Sequence, residues 1–155
     1  MTKQVVTFTV NGIEKEVYVR NADTLINTLR HQLGLTGAKP ACNNGDCGAC
    51  TVLVNGLPLN SCHTLTVEHE DHVITTIEGL ANSDVQQHFI ENWAIQCGYC
   101  TPGYILNCLS LIESNPNADE RVIDEWLDSN ICRCTGYEEI KQTVNQLLQM
   151  RRANG

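Results

Sequence analysis

The chain contains 155 residues, of which 18 are acidic and 10 are basic, for a formal net charge of −8. This length suits one ordinary domain or two small ones, and the negative charge opposes binding to a phosphate backbone, which argues against nucleic acid as a partner. The sequence begins without a basic and apolar leader and contains no apolar run near the roughly 18 residues of a membrane span, so we expect a cytoplasmic protein with no membrane span.

The N-terminal half predicts a small mixed sheet and one helix. Apolar residues alternate with polar ones on both sides of Asn11 and Gly12, which is typical of a β-hairpin. Asp23 is placed to cap a helix that ends at Gly34. The apolar residues of these elements and of the short strands that follow are Val6, Phe8, Val10, Val17, Val19, Leu25, Ile26, Leu29, Leu33, Val52, Val54, Val73 and Ile74. A hairpin, a crossing helix, a cysteine-rich loop and closing strands describe a ferredoxin-like β-grasp domain over residues 1–76.

Beyond residue 76 the apolar period changes to about 3.6 residues, which indicates amphipathic helices. Four helices are predicted, with Asp119 placed to cap the third. Their apolar faces are Val85, Phe89 and Trp93; Ile105, Cys108, Leu109 and Ile112; Val122, Ile123, Trp126 and Leu127; and Ile140, Val144, Leu147 and Leu148. Four such helices imply a four-helix bundle over residues 77–155. The predicted fold class is therefore α+β, with two halves that pack against each other because no linker separates them.

A first group of four cysteines indicates a metal centre in the N-terminal half. The chain has nine cysteines and no secretion signal, and this odd count favours metal ligands over disulfides. The group consists of Cys42, Cys47, Cys50 and Cys62. Its C-x4-C-x2-C opening and distant fourth member match the plant-type [2Fe-2S] spacing better than the paired ligands of a zinc site. Gly45 and Gly48 allow backbone turns that point peptide N–H groups at cluster sulfurs.

A second group of four cysteines lies at the predicted helix joints. It pairs a C-x2-C with a C-x-C and consists of Cys97, Cys100, Cys132 and Cys134. Spacing alone leaves a [2Fe-2S] cluster and structural zinc both open for this group. The ninth cysteine, Cys108, shares an apolar helix face, which predicts a buried free thiol that is no ligand.

Three segments resemble the signatures of the iron–sulfur subunit of molybdenum hydroxylases, the family of xanthine dehydrogenase, aldehyde oxidoreductase and carbon monoxide dehydrogenase. They are Gly48-Ala-Cys50-Thr-Val52, Gln96-Cys-Gly-Tyr-Cys100-Thr-Pro-Gly103 and Asn130-Ile-Cys-Arg-Cys134-Thr-Gly136-Tyr. The resemblance covers essentially the whole chain and implies [2Fe-2S] clusters at both cysteine groups. One departure is Ala41, where many family members have glycine.

The resemblance also implies partners and roles. The chain contains neither the flavin nor the molybdopterin module of the family, so we expect a small subunit that assembles with a large molybdopterin subunit and a medium FAD subunit. The second cysteine group would lie nearest the molybdopterin and the first would pass electrons to flavin or another acceptor. Gln96 and the backbone at Cys134 would contact the pterin, although a buried glutamine that satisfies loop carbonyls is an alternative for Gln96.

The sequence contains no phosphate loop, nucleophile motif or paired carboxylates, so the chain is expected to be non-catalytic alone. By family frequency, the complex is expected to hydroxylate a nitrogen heterocycle such as xanthine. The alternatives are the same role in an aldehyde oxidoreductase or carbon monoxide dehydrogenase, a free-standing two-cluster ferredoxin, and a zinc-stabilised interaction protein. Metal content separates the last of these from the others.

Overall fold

The computed structural model describes residues 3–81 and 83–154, and its helices and strands have the mixed α+β character expected from the sequence. The described elements are β1 (Lys3–Val10), β2 (Ile13–Arg20), α1 (Leu25–His31), β3 (Thr51–Val54), β4 (Leu57–Asn60), β5 (Val73–Thr75), α2 (Asp84–Glu91), α3 (Thr101–Ser114), α4 (Glu120–Leu127) and α5 (Glu138–Asn154). Two short 3-10 turns, Thr66–His69 and Ile77–Leu80, flank β5.

The five strands form one sheet in the order β2-β1-β5-β3-β4. β1 and β5 are parallel, and the other neighbouring strands are antiparallel. Asn11 and Gly12 join β1 to β2 with φ angles of 50° and 79°, which is the left-handed pair that a tight hairpin needs. Asn55 and Gly56 make the same turn between β3 and β4, at 50° and 85°.

The apolar face of the sheet packs against α1 and forms the first core. This core contains Val6, Phe8, Val10, Val17, Val19, Leu25, Leu29, Ala38, Val52 and Ile74. The alternation predicted for β1 is confirmed, because its apolar residues at positions 6, 8 and 10 are all buried. α1 ends at His31, before the predicted stop at Gly34, and Leu33 packs against the same core from outside the helix.

The predicted cap of α1 is wrong. Thr24 occupies the N-cap position, and its side chain makes no capping hydrogen bond. The Asp23 carboxylate instead pairs with the Arg20 guanidinium at 2.6 and 2.9 Å and accepts the Arg20 backbone N–H at 2.9 Å. These hydrogen bonds from Arg20 lower the pKa of Asp23. A nearby cation therefore competes successfully for the carboxylate that the helix end would otherwise attract.

Helices α2 to α5 enclose a second core, separate from the first. Its buried members include Phe89, Tyr104, Leu111, Ile140 and Val144. The Asp119 cap of α4 is confirmed, since its carboxylate accepts the Val122 N–H at 2.9 Å. The prediction that Trp93 lies on the buried face of α2 is wrong, because α2 ends at Glu91 and the Trp93 side chain is 81% exposed.

The two halves pack through α3, which lies against β3 and β4. The Ser110 hydroxyl in α3 donates to the Gly56 carbonyl at 2.7 Å. Within residues 3–81 and 83–154, no helix has both the length and the apolarity that crossing a membrane requires.

A buried histidine in the N-terminal half predicts that stability depends on pH. His69 is only 4% exposed, its Nδ1 lies 3.1 Å from that of His72, and burial lowers its pKa below the ordinary 6.5. A lowered pKa means that the folded state favours the neutral ring, so its stabilising effect is complete above 6.5 and is lost as the pH falls below that value. Above that pH we expect the wild type to have a higher unfolding midpoint than His69→Gln. This difference between the two midpoints should disappear as the pH falls. Histidine titrates between about pH 5 and pH 8. A difference between the two midpoints that stays constant over this range would contradict the prediction.

Candidate metal centres

The first cysteine group lies on the loop between α1 and β3, with its fourth member just after β4. The loop folds back through left-handed residues at Asn43, Gly45 and Gly48, with φ angles of 56°, 88° and 68°. This turn aims the Cys47 N–H at the Cys42 sulfur, 3.4 Å away. Backbone hydrogen bonds, foremost from Asn44, lower the pKa of Cys42 to about 6. The loop thus stabilises a thiolate with peptide dipoles, as the glycine spacing predicted.

The four thiols of this group divide into two pairs. Cys42 is exposed and Cys47 is half-buried, whereas Cys50 and Cys62 are 2% and 8% exposed. Burial raises the pKa of the Cys50 thiol to about 12. One pair of thiols therefore faces outward and the other faces the protein.

The second group divides in the same way. Cys97 and Cys134 are both exposed, and their sulfurs lie 3.6 Å apart. Cys100 begins α3 and is half-buried, and Cys132 is 6% exposed between α4 and α5. Burial raises the pKa of Cys100 to about 12. Burial opposes ionisation of Cys132 too, but hydrogen bonds from the Thr135 hydroxyl and nearby backbone N–H groups outweigh it and lower its pKa.

An arrangement of one outer and one inner pair fits a [2Fe-2S] cluster at each group. Such a cluster is held by four thiolates, two on each of its two irons. A single zinc ion instead gathers four ligands around one point. The donor set and its pairing therefore favour a two-iron cluster over zinc, including at the second group, where spacing alone was undecided.

A small cavity of about 220 Å³ lies between Cys47 of the first group and the cysteines of the second. Its lining includes Ala41, Cys47 and Ala49 from the first loop and Cys97, Cys132 and Cys134 from the second group. Ala41 has an ordinary negative φ, unlike Asn43, Gly45 and Gly48 in the same loop. The alanine that departs from the family pattern therefore introduces no backbone strain.

Hydrogen bonds join the two ligand loops directly. The Ile131 N–H donates to the Cys47 carbonyl at 3.0 Å, and Ile131 is covalently bonded to Cys132. The adjacent Asn130 side chain, 3% exposed, donates to the Gly48 carbonyl at 2.9 Å. One hydrogen bond and one residue, Ile131, thus separate Cys47 of the first group from Cys132 of the second.

A buried polar network holds Asn130 in place. The Tyr104 hydroxyl donates to the Asn130 carbonyl at 2.5 Å, and the Asn107 side chain donates to its Oδ1 at 2.9 Å. The Gly103 Cα approaches so closely that an added Cβ would clash with the Gly48 carbonyl oxygen. The sequence analysis assigned no role to these residues. The only signal was that Gly103 and Asn130 belong to the segments that carry the family resemblance.

The remaining sequence predictions concern Gln96, Cys134 and Cys108. Gln96 is exposed, so it is not a buried glutamine that satisfies loop carbonyls. Cys134 is exposed at the same end of the molecule as Cys97. The contacts of Gln96 and Cys134 with a pterin stay predictions. Cys108 is fully buried, as expected, and burial raises its pKa.

Comparisons with known proteins agree with this geometry. A family model described as "2Fe-2S iron-sulfur cluster binding domain" matches residues 2–95, and one described as "[2Fe-2S] binding domain" matches residues 76–145. The nicotinate dehydrogenase small FeS subunit of Eubacterium barkeri is 38% identical over 153 residues, covering 96% of this chain and 98% of that protein.

Two further relatives are an oxidoreductase and a subunit of one. The aldehyde oxidoreductase iron-sulfur-binding subunit of Escherichia coli (strain K12) is 41% identical over 157 residues, covering 89% of this chain and 69% of that protein. A chain of the crystal structure of quinoline 2-oxidoreductase from Pseudomonas putida 86 superposes with a TM-score of 0.90 at 36% identity, covering 97% of both chains.

Proposed function

Since the chain belongs to the family of [2Fe-2S] iron–sulfur subunits of the molybdenum hydroxylases, we propose that its two cysteine groups hold two clusters that act in series. The first cluster is assigned to Cys42, Cys47, Cys50 and Cys62, and the second to Cys97, Cys100, Cys132 and Cys134. A bound [2Fe-2S] cluster accepts and releases single electrons. The observation that carries the proposal is that both groups present one outer and one inner pair of thiols.

The second cluster is proposed to face the molybdopterin of the large subunit. Its outer pair, Cys97 and Cys134, is exposed beside the exposed Gln96, which leaves these residues accessible to a partner. Gln96 and the Cys134 backbone are assigned to contact with the pterin. The first cluster is then the exit towards FAD on a medium subunit or towards another acceptor. The bond from the Ile131 N–H to the Cys47 carbonyl supports electron transfer between the two clusters, because it joins the two groups.

The division into two domains, residues 1–76 and 77–155, is also a proposal. It is supported by two separate cores, one built from residues 6–74 and the other from residues 85–148. The shared core of α2 to α5 supports a four-helix bundle as the second domain. A cytoplasmic location is supported by the nine cysteines, none of which forms a disulfide.

The substrate of the complex is proposed to be a nitrogen heterocycle such as xanthine. The names of two relatives, a nicotinate dehydrogenase subunit and a quinoline oxidoreductase, support this class. An aldehyde is the second candidate, because the Escherichia coli relative is a subunit of an aldehyde oxidoreductase. Substrate choice is assigned to the molybdopterin subunit, since the sequence of this chain contains no phosphate loop, nucleophile motif or paired carboxylates. Turnover of the purified complex with each substrate class separates the two candidates.

Metal analysis and electron paramagnetic resonance test the cluster assignment. We expect about four irons and four labile sulfides per chain, from two clusters of two irons each. The reduced protein should show two distinct signals of equal spin, because one site lies on a loop beside a sheet and the other lies between helices, with different hydrogen bonding. Two zinc ions per chain, or a single signal of one spin, would contradict the proposal.

A further inference from the structure

Trp93 has an unusual position at the end of α2. Its side chain is 81% exposed, more than any other large apolar residue in the described chain. Its φ angle is 58°, in the left-handed region. Glycine is the usual residue at such a helix end, because a Cβ is unfavourable in this conformation. Both the left-handed backbone at Trp93 and its exposed indole are therefore unfavourable for the chain alone. A favourable interaction outside the isolated chain is needed to explain this tryptophan.

The backbone holds Trp93 rigidly. The Trp93 N–H donates to the Ile90 carbonyl at 3.2 Å, and the Ala94 N–H donates to the Phe89 carbonyl at 3.0 Å. Phe89 and Ala94 are 0% and 2% exposed, so buried side chains anchor the turn on both sides. The Asn92 side chain also donates to Gln146 in α5 at 2.8 Å. A backbone held in place in this way loses little conformational freedom when the side chain that it presents binds a partner.

A second exposed apolar residue lies beside it. Ile90 is 60% exposed on the last turn of α2, and we call Ile90 and Trp93 the apolar knob. Exposed polar residues border the knob on both sides along the chain, at Gln87 and Gln96. An aromatic anchor with a polar border is the usual make-up of a binding hot spot.

The position of the knob identifies its partner. Trp93 precedes Cys97 by four residues, so their Cα atoms are at most about 14 Å apart. A standard interface buries about 800 Å² on each partner, which corresponds to a patch about 16 Å in radius. Under the proposed function, the outer pair Cys97 and Cys134 faces the molybdopterin subunit. An interface around that pair therefore extends to the knob.

We propose that Ile90 and Trp93 dock into an apolar pocket on the molybdopterin subunit. This proposal rests on the proposed function and adds the residues that anchor the assembly. The docked indole offsets the unfavourable left-handed backbone, because burial of a large aromatic side chain is among the strongest single contributions to an interface.

The test is Trp93→Gly in the purified complex, with exchange of the bound chain against a tagged copy as the measurement. Loss of a hot-spot residue should speed dissociation roughly 30-fold. The isolated variant should keep its iron content and unfold at the same or a higher temperature, because glycine suits φ = 58° better than tryptophan does. Ile90→Ser should speed dissociation to a smaller extent. Tyr18→Ser is the matched control, since Tyr18 is 59% exposed on β2, at the edge of the sheet.

Each contrary outcome has a distinct meaning. Dissociation of Trp93→Gly within about threefold of the wild type overturns the docking role and leaves the proposed function standing. Lower iron content or a lower unfolding temperature shows that Trp93 is structural, which also overturns it. A wild-type dimer that Trp93→Gly converts to a monomer identifies a second copy of the chain as the occupant, against the proposal. If no molybdopterin subunit purifies with the wild type, the proposed function itself fails.

Discussion

Replacing Cys134 with alanine in the assembled complex should abolish steady-state turnover with an external acceptor while leaving the substrate able to reduce the molybdenum once. Cys134 and Cys97 form the outer pair of the second group, with sulfurs 3.6 Å apart. Under the proposed ligand assignment, an iron held by this pair would lose one of its two thiolates in the variant. Rapid mixing with substrate, followed by spectroscopy of the remaining centres, measures both outcomes.

Cys42→Ala tests the other end of the series. The substitution removes one of the two outer thiols of the first group, so substrate should still reduce the second centre, but the downstream acceptor should no longer reoxidise it. Cys108→Ala is the matched control, because Cys108 is a fully buried cysteine outside both groups. The Cys108→Ala variant should retain both centres and full turnover. Full acceptor-linked turnover of Cys134→Ala would refute the order of the two centres.

Gly103→Ala should destabilise the protein by at least about 2 kcal/mol, although alanine is ordinarily the better helix former by about 1 kcal/mol. Gly103 lies in the first turn of α3, where an added Cβ would clash with the Gly48 carbonyl oxygen and approach the Asn130 side chain at 2.9 Å. The obstacle is backbone from the first ligand loop, which is less able to move than a flexible side chain. Chemical denaturation of the variant and the wild type measures the difference.

The same substitution should also disturb both centres. Gly48 follows Cys47, and Asn130 is two residues before Cys132, so displacement of either residue separates the two ligand loops. We expect iron content to fall and the two paramagnetic signals to change together. Glu113→Ala, at an exposed position of the same helix, is the control and should alter stability by less than about 0.5 kcal/mol. An equal or higher stability of Gly103→Ala would show that the contact between the loops is not tight.

Local patterns in the sequence correctly predicted features that depend on neighbouring residues. Asn11 with Gly12 predicted a hairpin, and the alternation of Val6, Phe8 and Val10 predicted which face of β1 is buried. The Asp119 cap was confirmed for the same reason, because its partner, the Val122 N–H, is only three residues away. Such features depend on turn chemistry and side-chain period, which are properties of a short segment.

Predictions failed where a competing contact decided the outcome. Asp23 has the right residue type for a cap, but the Arg20 guanidinium is a stronger partner for its carboxylate than the helix end is. Trp93 has the spacing of a buried helical residue, but α2 ends at Glu91 and the chain turns left-handed. A helical period in the sequence carries no information about the residue at which the helix stops.

By itself, the sequence determined the two groups of four thiols and the halves of the chain to which they belong. Cysteine spacing and apolar period depend only on the order of the residues, so both are available without the structure. Only the tertiary structure decided which thiols pair at the surface and which pair inside. It also decided that Asn130 and Ile131 join the second ligand loop to the first, through Gly48 and Cys47. These contacts span more than 80 positions of the sequence, so they exist only once α3 has packed against the sheet and brought the two loops together.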